Sequence, residues 1–482
     1  MYLGIDIGTS SVKTVLFDRA QRLVAQASAA LDISRPHPGW SEQDPDAWWR
    51  AVTETIDRIA AETSLADLRG IGLSGQMHGA VCLDHDDRVM RPAILWNDGR
   101  ASAECAELEQ AFPRAREISG NIAMPGFTAP KLLWLRHHEP EIFEHVSTVL
   151  LPKDYIRFCL TGHHVSEMSD ASGTLWLDVA ERDWSDDLLE ATGLTRAHMP
   201  RLVEGSEASG ALRLELAQRW GVKGEVVVAG GAGDNAAAAC GVGVVRPGTA
   251  FVSLGTSGVL FVSNARFSPN TQGAVHAFCH ALPATWHQMG VILSAADSLE
   301  WLARLVGRRA SVLAGEIGTV ERPSPVTFLP YLSGERTPHN DAAARGAFIG
   351  LSQSNGATDL AQAVMEGVAY AMADCQEALA AGGTDFESAL AVGGGARSHT
   401  WLRVLASVLN RPLEIPSDGD VGAAAGAARL AICAAEGAAP HEVCTAPEID
   451  AVIEPLPALV GPYQDGLARY RALYPALKAL PA

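Results

Sequence analysis

The sequence predicts an α/β protein built from two related halves that face each other across a cleft. At 482 residues the chain exceeds what one hydrophobic core supports and suits roughly two to three domains. Strand-like runs come first and then alternate with helical ones, the order of a mixed sheet covered by helices. The segment D-I-G-T-S-S-V at Asp6 to Val12 returns as S-L-G-T-S-G-V at Ser253 to Val259, and each copy follows apolar, strand-like residues.

Residues 2–7 and 12–17 are apolar and β-branched, and the turn between them predicts a β-hairpin. A third strand is expected near Arg22 to Ala27. Beyond the proline-rich stretch from Arg35, Asp44 is placed to cap a helix with Pro45 at its first position, and Trp48, Val52, Ile56 and Ile59 share one helical face. A strand at Gly70 to Ser74 follows, and Ala93 to Trp96 is strand-like. A second internal match aligns Val226 to Asp234 with Leu390 to Arg397, each a strand running into glycines before a helix. The two matches together predict duplicated domains over 1–245 and 246–435, with Arg246-Pro247-Gly248 supplying a turn at the junction. After about Ala435 the chain reads as a connection into a terminal helix near Tyr463 to Leu480, so that 436–482 forms a third segment.

Composition narrows the function classes. The chain is 48% hydrophobic and 19% charged, as in globular α/β enzymes. A net charge of -19 disfavours binding to nucleic acid or an anionic membrane, and an anionic substrate would need backbone donors or a metal. No run of eighteen apolar residues and no charged leader at Met1 to Asp6 is present, so no membrane span or signal peptide is expected and the predicted location is the cytoplasm. The eight cysteines form no Cys-x-x-Cys pair, which predicts reduced thiols and no zinc site.

Several residues are candidates for chemistry. In the first turn Gly8 permits close backbone approach, the hydroxyls of Thr9 and Ser10 and the local amides can donate to phosphate oxygens, and Lys13 is a cationic helper. Such a turn alone is also an ordinary hairpin. Its repetition at Gly255, Thr256 and Ser257 predicts two hairpins that clamp a polyphosphate. Asp6 ends the first strand, where a carboxylate either holds Mg²⁺ or shapes the turn, and Asp234 is the second carboxylate available to the ion. Asp234 is expected at a helix N-terminus, where the dipole favours its ionised form, either as a simple cap or as the group accepting a hydroxyl proton. Gly393, Gly394, Gly395 and Ala396 form a strand-to-helix turn against which a nucleoside can lie, although the spacing is not a dinucleotide fingerprint. Met77 and His78 occupy a glycine-flanked loop, S-G-Q-M-H-G, and Asn97, Asp98 and Arg100 offer hydrogen-bonding groups to a polyhydroxylated ligand or serve as caps and surface residues.

Over essentially the whole chain these residues resemble the FGGY carbohydrate kinases of the actin-like ATPase superfamily. G-F-T-A-P-K-L-L-W-L at Gly126 to Leu135 is similar to one family signature. G-A-F-I-G-L, a seven-residue gap and D-L-A-Q-A-V-M-E ending at Glu366 are similar to the other. R-P-H-P-G-W-S-E-Q-D-P at 35–45, G-Q-M-H-G at 75–79, R-P-A-I-L-W-N-D-G-R at 91–100 and Y-L-S-G-E-R-T-P-H at 331–339 resemble its bacterial xylulokinase branch. The resemblance implies two actin-like (ribonuclease H-like) domains with ATP and Mg²⁺ between them, and D-xylulose as the phosphate acceptor. It implies that Met77 and His78 belong to the ketose site, that Asp234 accepts the proton, that Asn235 lies beside the sugar, and that Thr256 and Gly394 to Ala396 approach ATP. It admits a homodimer.

Two rival readings share these features. A kinase for another ketose or polyol, such as ribulose, would use the same phosphate apparatus. An actin-like ATPase that assembles or chaperones would keep the paired hairpins and need no sugar pocket. A sugar-sensing regulator is disfavoured, because the acidic chain carries no basic helix-turn-helix segment.

Overall fold

The computed structural model describes residues 1–417 and 422–480. β1 (Tyr2–Ile7) and β2 (Ser11–Phe17) form the predicted antiparallel hairpin, and β3 (Leu23–Ala30) pairs onto β2. On its other side β1 lies parallel to β4 (Gly70–Gly75). β5 (Ala208–Ala211), β6 (Val227–Ala229) and the two-residue β7 (Ala232–Gly233) complete a sheet in the order β5-β6-β4-β1-β2-β3, with β7 parallel to β4. The second sheet opens with another antiparallel hairpin, β8 (Ala250–Leu254) and β9 (Gly258–Asn264). It adds β10 (His276–Cys279), β11 (Trp286–Ile292), β12 (Ala389–Val392), β13 (Leu413–Pro416) and β14 (Ile449–Ile453), in the order β10-β11-β9-β8-β12-β13-β14.

The two sheets share one plan. In each, a hairpin strand lies parallel to a strand from the far side of a helix, then to a second parallel strand and an antiparallel edge. This plan confirms the duplication and corrects one correspondence. By sheet position β12 matches β4, so the turn at Gly393–Ala396 corresponds to the loop after Gly75. Val226 to Asp234 corresponds instead to β13 and the helix that follows it. Glycine recurs wherever a buried parallel strand turns into a helix, so glycine spacing alone could not choose between the two alignments.

The helices cover both sheets. α1 (Pro45–Glu62) is capped as predicted: the Asp46 amide donates to Asp44 Oδ1 at 3.0 Å, and Trp48, Val52, Ile56 and Ile59 are buried. α2 (Thr128–His138) and α3 (Pro152–Thr161) belong to the first half, and α4 (Asp234–Gly241) closes it. α5 (Ala357–Ala381), α6 (His399–Leu409) and α7 (Ala423–Glu436) follow. Although α7 comes late in the chain, it docks on β1, β4 and α4 of the first half. That contact requires glycine: a Cβ on Gly72 would lie 1.8 Å from the Ala427 carbonyl, and one on Gly426 would lie 1.7 Å from that of Ala237. Small residues therefore let the halves meet backbone to backbone and fix the axis of α4.

The last segment differs from the expected plain connection. β14 joins the edge of the second sheet, and α8 (Pro457–Lys478) begins six residues before the predicted Tyr463, running through Pro462. Its Tyr470 hydroxyl donates to Tyr331 at 2.9 Å inside the second core, so tertiary packing outweighs the penalty of an internal proline. Among the described residues no helix is long and apolar enough to cross a membrane, and all eight cysteines are free.

Candidate active site

Three parallel strands set the first half of the site. Asp6 in β1 lies beside Ser74 in β4, and Ser74 beside Ala232 in β7; the next row is Ile7, Gly75 and Gly233. Gly8, Gln76 and Asp234 therefore emerge together at the carboxyl ends of the strands, where open α/β sheets bind ligands.

Asp234 is the first residue of α4, with Gly233 at the cap position. Its Oδ1 accepts from the Asn235 amide at 2.7 Å and from Asn235 Nδ2 at 2.9 Å. The predicted dipole effect is outweighed here: burial, and then the neighbouring Asp6, push the Asp234 carboxyl up to about 6. Burial also raises Asp6, against the Ser74 hydroxyl, which donates to its Oδ1 at 3.0 Å, and against Lys13. The two carboxylates, at the ends of neighbouring strands, are thus close enough to repel each other.

Met77 and His78 adjoin this pair. His78 has a left-handed backbone, φ 71°, pinned through its carbonyl by Lys131 Nζ at 2.8 Å and the Thr128 hydroxyl at 3.1 Å, both from α2. The stretch Gly126 to Leu135 thereby supports the loop that carries His78. Burial pushes the His78 imidazole down to about 3, so the ring is neutral. Its Nδ1 lies 2.7 Å from the Gly173 carbonyl. A carbonyl only accepts, so the proton sits on Nδ1 and Nε2 is left as an acceptor.

A buried ion cluster stands directly behind Asp234. Lys153 Nζ lies 2.9 Å from Asp154, 3.2 Å from Glu167 and 2.9 Å from Asp170, all without solvent exposure. The Ser169 hydroxyl donates to Glu167 Oε2 at 2.8 Å and accepts from the Gly233 amide at 3.0 Å. Lys131, Thr128, Lys153, Glu167 and Ser169 were not foreseen as site residues. Only the signature stretch Gly126 to Leu135 marked two of them, Thr128 and Lys131.

Other expectations change. The Thr9 hydroxyl is committed internally, donating to Gln76 Oε1 at 2.9 Å and accepting from Trp96 Nε1 at 3.0 Å. It has no proton left for a phosphate, so in the first turn Ser10, which is exposed, and the amides remain. Asp98 and Arg100 are held by each other: Arg100 Nη2 donates to Asp98 at 2.8 Å, Nη1 lies 2.7 Å from Glu42, and the guanidinium covers the Trp40 ring at 3.6 Å. They brace the loop rather than offering free donors, while Asn97 is exposed. In the second turn Thr256 and Ser257 are exposed, and the Gly255 amide donates to the Ser257 carbonyl at 3.1 Å, as Gly8 does to Ser11 at 3.0 Å.

The cleft between the halves has a volume of about 650 Å³ and is lined by Lys13, Ala238, Ser253, Gly393, Gly394 and Ala396, among others. That size suits a nucleotide. Gly395 packs on Leu254, whereas a Cβ on Gly394 would meet nothing within 4 Å, so Gly394 is the glycine that faces the open space.

Two family models match the chain in succession. Residues 1–241 match the model of the FGGY family of carbohydrate kinases, N-terminal domain, and residues 250–435 that of its C-terminal domain. The chain is 53% identical over 437 residues to the xylulose kinase of Escherichia coli (strain K12), covering 90% of each. A crystal structure described as a xyloylose kinase from Brucella ovis superimposes with a TM-score of 0.97 at 56% identity, over 100% of both chains. The gluconate kinase of Lactobacillus acidophilus gives a TM-score of 0.92 at 25% identity, over 99% of this chain and 98% of that one. The two sheets are the actin-like, ribonuclease H-like pair of these kinases.

Proposed function

Because the chain belongs to the FGGY family of carbohydrate kinases, we propose that it transfers the γ-phosphoryl group of ATP to D-xylulose, giving D-xylulose 5-phosphate. The observation that carries this reading is the convergence of Asp234, Asn235, Met77 and His78 at the strand ends that border a nucleotide-sized cleft. The 53% identity to a xylulose kinase supports the choice of sugar. The gluconate kinase likeness is the reason fold alone does not set it.

Asp234 takes the proton of the terminal hydroxyl as that oxygen attacks, and its tie to Asn235 orients the carboxylate. Phosphoryl transfer asks the protein mainly to position groups and neutralise charge. Lys13, Ser10 and the amides of the two turns serve the phosphates, and closure of the halves excludes water. Asp6 and Asp234 suit Mg²⁺: they are two neighbouring carboxylates, the charge of Asp6 helps to raise Asp234, and among the described residues one oxygen of Asp6 accepts a hydrogen bond from a side chain. Magnesium commonly takes one or two carboxylates and completes its shell with phosphate oxygens and water. Bound there, it would neutralise developing phosphate charge.

ADP release measured with D-xylulose, ribulose, gluconate, glycerol and xylitol tests the reading. D-xylulose is expected to give the highest kcat/KM; a higher value for another acceptor would reassign the substrate, and turnover indifferent to every sugar would favour the ATPase reading. The nucleotide site has its own test. A Cβ at Gly394 would meet no neighbour within 4 Å in the fold, so Gly394→Val is expected to leave stability near wild type, raise the ATP KM about tenfold and move the xylulose KM by less than about twofold. An unchanged ATP KM would place the nucleotide elsewhere.

A further inference from the structure

The stretch Tyr331 to His339 takes no part in the machinery described above, yet it is anchored against β11. The Thr337 amide donates to the Val291 carbonyl at 3.0 Å, the Val291 amide to the Thr337 hydroxyl at 3.0 Å, and the Leu293 amide to Glu335 Oε1 at 3.0 Å. This clamp holds Arg336 in one place. Arg336 Nη1 donates to His276 Nε2 at 3.2 Å. The assignment is consistent: a guanidinium only donates, so His276 carries its proton on Nδ1, which lies 3.2 Å from Asn121 Oδ1.

His276 leads to the sugar loop. Its ring stacks on Phe278 at 5.4 Å and meets Phe127 edge-on at 5.7 Å, and Phe127 meets His78 at 4.6 Å. Arg336 and His78 therefore sit at opposite ends of one aromatic cluster, the first supplied by the second half of the chain and the other by the first half.

Arg336 is a cation in want of a partner. Among the described residues its side chain makes no salt bridge, and its one side-chain hydrogen bond is to His276. The adjacent Glu335 offsets it only in part: it makes no salt bridge with the guanidinium, its Oε1 is occupied by the Leu293 and Arg336 amides, and burial pushes that carboxyl up to about 8. Most of the guanidinium donors are unused, and burial already disfavours its charge. The side chain is half-buried and its free donors are not sealed into the core, so they are available to acceptors that enter beside His276.

We propose that Arg336 is a sugar-specificity residue, donating hydrogen bonds from the second half to the acceptor oxygens of the ketose opposite His78. The assignment deepens, and rests on, the reading of Met77, His78 and Asp234 as the ketose site. His78 Nε2 can only accept and Arg336 can only donate. That pairing matches an α-hydroxyketone, which presents a hydroxyl beside a carbonyl oxygen. The pocket is then composite, and occupancy by sugar draws the halves together.

Arg336→Gln is expected to raise the D-xylulose KM about tenfold or more while moving the ATP KM by less than about twofold. Arg336→Lys keeps the charge without the planar fork and is expected to fall between wild type and Arg336→Gln. If Arg336→Gln fails to fold, Arg336→Lys still decides, through loss of the melting-temperature rise that D-xylulose gives the wild type. A folded Arg336→Gln with an unchanged xylulose KM overturns the proposal, as does a variant whose ATP KM rises instead. The wild type run beside them keeps the two ideas apart: failure of wild type to use xylulose counts against the substrate, and the Arg336 comparison is then made with the preferred sugar.

Discussion

Asp234→Asn is expected to lower kcat with D-xylulose by about a thousandfold while the protein stays folded. The amide keeps the size and the polar contacts of the carboxylate but cannot accept the hydroxyl proton. Stability should move the other way. Burial and Asp6 push the Asp234 carboxyl up to about 6, above the value of about 3.9 for an unfolded chain. The folded state therefore favours the protonated acid, and stability falls as pH rises from about 4 to about 6 and stays reduced at neutral pH. An amide has no charge to desolvate, so the variant should melt at or above the wild-type temperature near neutral pH. The base acts only when ionised, so wild-type kcat/KM should decline on the acid side of about pH 6. Steady-state kinetics with a thermal melt separates these effects. A variant that kept kcat within about tenfold of wild type would remove Asp234 from the chemistry, and an equal loss of melting temperature would reduce its role to structure.

What the sequence made legible follows from range. The hairpins at Gly8 and Gly255, the Asp44 cap and the helical face of Trp48, Val52, Ile56 and Ile59 rest on contacts within a few residues, and spacing reports such contacts directly. Asp234 was placed at a helix start by the same local logic. The errors lie where distant segments decide. Thr9 lost its expected role because Gln76 and Trp96 occupy its hydroxyl, and Arg100 lost its own because Glu42 and Asp98 surround it. No local pattern could reveal that α7 crosses to the other half, since its alanines and glycines describe any close helix contact. Lys131 and Ser169 escaped for the same reason, because their partners, His78 and Gly233, are 53 and 64 residues away.

Lys153→Met should destabilise the fold by about 3–5 kcal/mol, the range for removing one member of a buried ion cluster. Burial alone would drive the Lys153 ammonium down, but Asp154, Asp170 and Glu167 outweigh it and hold it above its ordinary range. Without it, Asp154 keeps Arg157, while Glu167 is left as a buried charge with no cation beside it. The three acids are not equivalent, which provides the control. Burial raises the Asp170 carboxyl even with Lys153 beside it, so its charge is the one the fold disfavours, and Asp170→Asn should cost less stability than Lys153→Met. Urea denaturation of both variants tests the difference; a Lys153→Met curve overlying wild type would mean the cluster carries little net stability. The effect should reach the chemistry through one chain of contacts. Lys153 holds Glu167, Glu167 accepts from Ser169, and Ser169 accepts from the Gly233 amide immediately before Asp234. In whatever fraction of Lys153→Met folds, kcat should fall while the ATP KM stays near wild type, because Gly394 follows β12 of the second sheet, whereas the cluster is supported at Gly233 in the first. The buried charges then serve less as a source of stability, which a hydrophobic core could supply more cheaply, than as the mount that aims the carboxylate at the acceptor hydroxyl.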